Sequence, residues 1–260
     1  MFLAGLSVQK RVVHALFLRE LKTRFGKYRW GYLWALLEPA IHLGILMLLF
    51  GYFMARTMPN ISYSVFLVNG LLPWLMVSKM AVRSLNAIEA NRGLLNYGPV
   101  HPVDTILARA LLEGIIYFLV YLIFMLALVI SGEVVSLANT VVIIIIWACL
   151  LLLAIGLGLV LMVLGHAFPN IEKMVPVLIR PFYFLSGIIF SITRIPAEYH
   201  QYLDWNPLLH AFDLLRHALV PDYTILPSIS LEYLATVSVS TLAVGLILYK
   251  GREPAIQRSA

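Results

Sequence analysis

Residues 10–55 read KRVVHALFLRELKTRFGKYRWGYLWALLEPAIHLGILMLLFGYFMA, a cationic stretch that runs straight into an apolar one. Lys10, Arg11, Arg19, Lys22, Arg24, Lys27 and Arg29 are seven of the 19 basic residues, and all precede the apolar run that opens near Leu33. Lys and Arg resist crossing a bilayer and are drawn to the anionic cytoplasmic leaflet. The pattern therefore predicts an N-terminus kept in the cytoplasm and a first membrane span over residues 33–55. Within the cationic stretch, Val8, Val12, Val13, Leu16, Phe17, Leu21 and Phe25 fall at the spacing of one helical face, with most of the charges elsewhere on the wheel. Residues 1–30 are read as an amphipathic helix lying in the inner membrane interface.

Composition points the same way. Hydrophobic residues make up 61% of the 260 and charged residues 12%, with a mean hydropathy of +0.89. A soluble domain of this size needs more polar surface than that. The formal net charge of +6 is not a nucleic-acid signature, because the basic residues outside the head are scattered and the head precedes a span. No secretory signal is read before the charges, and the lone Cys149 lies in an apolar run as a small core residue.

A span needs about 20 residues to cross roughly 30 Å of hydrocarbon. Charge-free runs place further spans at residues 57–78, 114–132, 138–164 and 233–249, and an apolar run interrupted by Pro176, Arg180 and Pro181 places another at residues 174–192. The fold class is thus an all-α membrane protein of six transmembrane helices within residues 31–260, with both termini cytoplasmic. The remaining basic residues agree: Arg92, Lys173, Lys250, Arg252 and Arg258 fall on the inside, and only Arg56, Arg194 and Arg216 outside. Gly156, Gly158 and Gly165 give the fourth span a smooth face suited to close packing. Arg109 and Glu113, four apart on one helix, are expected to pair with each other.

Two connections carry more than a turn. Residues 91–105, NRGLLNYGPVHPVDT, hold two stiffening prolines and an Asp104 suited to capping the next helix. This is a shaped cytoplasmic protrusion, suited to docking a partner. Residues 194–226 hold Tyr199, Tyr202, Trp205 and an Asn206-Pro207 start to a short amphipathic helix, too short and too charged to span. They are expected to dip into the outer interface as short re-entrant helices. The aromatics have two readings here, an interfacial belt or a guide for a passing ligand.

Gly26-Lys27 is followed by Tyr28 and lacks the upstream glycine of a nucleotide-binding loop. The seven histidines lack metal-ligand spacing. No catalytic constellation is evident, so any transport here draws its energy from another subunit.

Three stretches together carry a resemblance: ALFLRELKTRFGKYRWGYLWALLEPAIHL (15–43), AIEANRGLLNYGPVHPVDTILARALLE (87–113) and WNPLLHAFDLLRHAL (205–219). The chain resembles the membrane subunit of bacterial capsular polysaccharide exporters, a group of ABC-2 type permeases. The resemblance implies a homodimer with two separate ATP-binding cassette subunits, which bind ATP and Mg while this chain holds no cofactor. It further implies a periplasmic polysaccharide co-polymerase, an outer-membrane export channel and a lipid-linked polysaccharide with an acidic linker. On this reading Trp34, Arg180, Tyr183, Tyr199, Tyr202 and Trp205 guide the polymer, and Tyr97, His101 and Asp104 contact the ATP-binding subunit. A secondary transporter or channel for a small solute is the alternative, and a purely structural membrane anchor a third.

Overall fold

The computed structural model describes residues 2–26, 31–56, 60–95 and 99–259, and among them it is helical without strands. Among these described residues nine α-helices follow in order: α1 (Phe2–Phe25), α2 (Gly31–Ala55), α3 (Tyr63–Ser84), α4 (Ala87–Leu95), α5 (Pro102–Ile130), α6 (Thr140–Ala167), α7 (Ile171–Leu185), α8 (Pro207–Leu219) and α9 (Leu231–Ser259). Five of these, α2, α3, α5, α6 and α9, are long and apolar enough to cross a membrane.

Local chemistry sets the boundaries. Ser62 caps α3 by accepting from the Val65 N–H at 3.4 Å, which starts that helix at Tyr63 rather than near the expected residue 57. Pro102 opens α5, and the Asp104 carboxylate accepts from the His101 N–H at 2.9 Å. The expected fifth span, residues 174–192, is shorter in the structure. α7 has Pro176 and Pro181 inside it and ends at Leu185, where the chain turns through Gly187 at φ +67°. Fifteen residues rise about 22 Å, less than the hydrocarbon thickness.

α3 is the axis of the bundle. Phe66, Leu67, Leu71, Leu72, Met76 and Met80 are inaccessible to solvent, and α2, α5, α6, α7 and α8 all pack on this helix. Two glycines of α6 decide how closely its neighbours approach. A Cβ on Gly156 would sit 2.5 Å from the Leu242 nitrogen of α9, and one on Gly165 would collide with the Leu85 carbonyl after α3. The smooth face therefore serves two partners at once. α7 packs more shallowly than the others, since none of its residues is buried.

The helices share one polarity scheme. Gly156 meets Leu242, and Leu159 meets Gly245, so α6 and α9 run in the same direction. The end of α9 reaches the start of α5, where Glu253 Oε1 lies 3.7 Å from His101 Nδ1. α1 reaches the same place through Gln9 Nε2, which donates to Asp104 Oδ1 at 3.1 Å. The N- and C-terminal helices thus meet at one end of the bundle, the α1 end. Residues 131–139 and 218–223 meet at the opposite end, where the Ser136 N–H donates to the Leu219 carbonyl at 2.7 Å.

Candidate functional site

At the α1 end, charges join helices that are remote in sequence. Glu113 of α5 is fully buried, and its Oε1 receives Arg24 Nη1 of α1 at 2.6 Å and Arg83 Nη1 of α3 at 3.0 Å. Arg109, one turn earlier on α5, pairs with Glu20 of α1 at 3.2 Å and donates to the Arg83 carbonyl. The expected Arg109–Glu113 pair does not form, because packed neighbours offer each group a better-placed partner than its own helix does. Arg19 extends the array by donating to the buried Asn91 of α4. The amphipathic helix α1 is therefore bolted to α4 and α5.

Beside this array, α2, α3 and α7 enclose an open cleft of about 520 Å³. Its walls include His42, Trp74, Ser78, Ile179, Tyr183 and Phe184, and its cations are Lys79, Arg83 and Arg180. Lys79 is held by Glu38 of α2 at 2.5 Å. Tyr183 shares a hydrogen bond of 3.1 Å with His42 and meets the Trp74 ring edge-on at 5.7 Å between centroids. The cleft brings aromatic rings and cations into one lining, which suits a ligand with an apolar or sugar face and an anionic group. Arg180 and Tyr183, selected from sequence, are both here. His42, Trp74, Lys79 and Arg83 were not selected, although the Lys79 and Arg83 pair at i, i+4 was visible as a basic end to its span.

The other selected residues lie apart from the cleft. Trp34 is on α2 and 60% exposed. Tyr199 and Tyr202 are exposed on a 3-10 turn, residues 197–202. Trp205 follows them and packs edge-on against Phe182 of α7 at 5.8 Å. It helps line an apolar cavity of about 390 Å³ on the other side of α7 that shares Trp74, Ser78 and Ile179 with the cleft. His101 is about half exposed beside Glu253, Asp104 is buried in its capping role, and Tyr97 lies outside the described residues.

The segment before α9 is held by a group that sequence reading had counted only as an outer charge. Arg216 of α8 is fully buried, pairs with Asp213 at 2.8 Å, donates to the Gly187 carbonyl at 2.8 Å and covers the Phe66 ring at 3.4 Å. Tyr223 donates to the same Asp213 oxygen at 3.1 Å and exchanges a hydrogen bond with Ser191. Burial pushes the Tyr223 hydroxyl up to about 12, so it stays a donor at neutral pH. Asn206 caps α8 through the Leu208 N–H and also donates to Ser186 Oγ at 2.9 Å. One arginine and one asparagine thereby tie α8 to α3 and to the turn after α7. Among the described residues, no group of three His, Cys, Asp or Glu side chains is arranged to hold a metal ion.

Residues 11–220 match the family model described as ABC-2 type transporter. The chain belongs to the ABC-2 transporter family. Within that family it is 51% identical, over 98% of its length and 99% of the other's, to the polysialic acid transport protein KpsM of Escherichia coli. The capsule polysaccharide export inner-membrane protein BexB of Haemophilus influenzae is 26% identical over 98% of this chain and 96% of its own. CtrC of Neisseria meningitidis serogroup B, described in the same words, is 30% identical over 83% and 81%. The matched range of the ABC-2 family takes in α1 from Arg11 onward, the cleft and α8.

Proposed function

We propose that this chain is the permease subunit of an ATP-driven exporter that moves lipid-linked capsular polysaccharide across the bacterial inner membrane. The observation that carries the reading is the 51% identity, end to end, with a polysialic acid transport protein. The cleft agrees with it, since a polymer of hydroxyls and apolar C–H faces needs many weak contacts that bind yet release. Arg180 attracts the acidic linker or lipid phosphate. Tyr183, Trp34, Tyr199, Tyr202 and Trp205 offer the sugar successive aromatic surfaces, each contact worth about 0.5–1.5 kcal/mol beyond area burial.

In this scheme α7, too short to cross alone, completes the fifth of six crossings together with residues 186–192, and α8 dips into the outer leaflet behind it. Both termini lie in the cytoplasm. A second copy of the chain covers the exposed apolar face of α2, where Ile41, Ile45, Leu48 and Phe53 point outward, and the path runs between the copies. Two ATP-binding cassette subunits, which hold ATP and Mg, dock at the α1 end through residues 91–105, with Tyr97, His101 and Asp104 nearest to them. A periplasmic co-polymerase and an outer-membrane channel complete the route.

Co-purification with an ATPase, and ATP hydrolysis that rises with added polymer, would be expected of this assembly. Replacing Tyr199, Tyr202 and Trp205 together by Leu should trap polymer in the cytoplasm while expression and ATPase association stay normal. Surface capsule at the unmutated level in that triple variant would remove the aromatic path. A chain that purifies alone and moves a small solute down an ion gradient would replace the whole reading.

A further inference from the structure

Arg83 belongs to two sites at once. Its guanidinium pairs with the buried Glu113 at 3.0 Å, yet its side chain is 40% exposed and lines the cleft with Lys79 and Arg180. The same Glu113 oxygen holds Arg24 of α1 at 2.6 Å, and its second oxygen, also buried, has no hydrogen-bond partner among the described residues. Two guanidiniums therefore crowd one carboxylate and repel each other, while half of that carboxylate stands unused. Removing Arg83 would relieve the repulsion and open the unused oxygen to Arg24, since a guanidinium can take both oxygens of one carboxylate.

We propose that Arg83 reports occupancy of the cleft to α1: a lipid-borne oxyanion bound beside Arg180 draws Arg83 away from Glu113, and Glu113 then grips Arg24 with both oxygens. The ligand is specified by the lining. Three cations meet an oxyanion, and the adjoining Trp74, Val82, Ile179 and Phe184 suit the apolar chain that carries it. The two states differ by which acid holds Arg83, as a coupling between two sites requires. A second link moves with the first, because Arg109 binds both the Arg83 carbonyl and Glu20 of α1. The inference deepens the export reading, on which it rests for the identity of the physiological lipid, but its test requires no export.

The test is hydrogen exchange across residues 16–25 of the full chain in phosphatidylcholine nanodiscs, with phosphatidylglycerol titrated in. Exchange in the unaltered protein should slow by about tenfold, the scale of one added charge-assisted hydrogen bond. Arg83→Gln should be slow from the start and indifferent to phosphatidylglycerol. Arg180→Gln should start as the unaltered protein does and need more of the lipid. Glu113→Gln should exchange fast with or without it. Simple attraction of a basic helix to an anionic surface predicts instead that Arg83→Gln responds as the unaltered protein does, and that result overturns the proposal. So does an unaltered protein whose exchange ignores phosphatidylglycerol. Inorganic phosphate slowing exchange as well as the lipid does, at equal concentration, would overturn the assignment of a lipid-borne group. Loss of capsule export in cells, by contrast, bears on the export reading alone.

Discussion

Two buried carboxylates, Asp213 near one end of the bundle and Glu113 near the other, look alike in isolation. Each is fully buried, each pairs through one oxygen, and each has a second oxygen without a hydrogen-bond partner among the described residues. They differ in their arginines. Arg216 is as buried as Asp213 and spends its other donors on main-chain carbonyls, whereas Arg83 faces an open cleft. A buried cation with all its partners inside the protein holds segments together. A cation anchored at its base but open at its tip remains available to a ligand.

The largest expected effect tests the closed pair. Arg216→Ala would leave Asp213 charged, buried and uncompensated, which costs about 3–5 kcal/mol. Thermal unfolding in detergent should show it as a severe loss, and Asp213→Asn added to it should restore part of the stability. Next comes Gly156→Leu, whose side chain must enter the contact with Leu242. Overpacking of this kind costs about 1–3 kcal/mol, measurable by the same unfolding and independent of either ion pair.

Arg83→Ala should change stability by no more than about 1 kcal/mol in either direction, because Arg24 takes up the freed oxygen of Glu113 and the lost side chain is partly solvated. If it proves as damaging as Arg216→Ala, the contrast between closed and open pairs fails. The smallest effect belongs to the surface pair Glu89–Arg92, 3.8 Å apart and mostly exposed. Glu89→Ala should change the unfolding midpoint by no more than about 0.5 kcal/mol allows, and a larger shift would mean that Glu89 itself acts beyond its own helix. Within the cleft, Arg180→Ala should reduce surface capsule more than Arg180→Lys does. Equal losses would show that Arg180 acts through shape rather than charge.

The helices α2, α5, α6 and α9 were legible because a bilayer imposes one strong constraint, length of apolar run, that composition reveals directly. The basic head and the capping role of Asp104 were legible for a similar reason: each depends on neighbours within a few residues. The expected fifth span runs past the end of α7, since its apolar residues continue to Ile192 and only the fold shows that the helix ends at Leu185 and the chain turns at Gly187. Sequence also assigned Arg109 and Glu113 to each other, the nearest partners along one helix, and counted Arg216 only as a charge on the outer side.

Sequence by itself determined that this is a helical membrane protein with a cationic leading helix, short polar connections and no nucleotide-binding loop of its own. Tertiary structure alone decided that Glu113 faces two arginines from two other helices, that Arg216 is buried over the Phe66 ring, and that Arg180 and Tyr183 share a cleft with Trp74. The physical reason is range. Hydropathy and capping act over neighbouring helical turns, while the cleft joins residues as far apart as His42 and Tyr183, 141 positions, and only the packing of α3 against its neighbours brings them within reach.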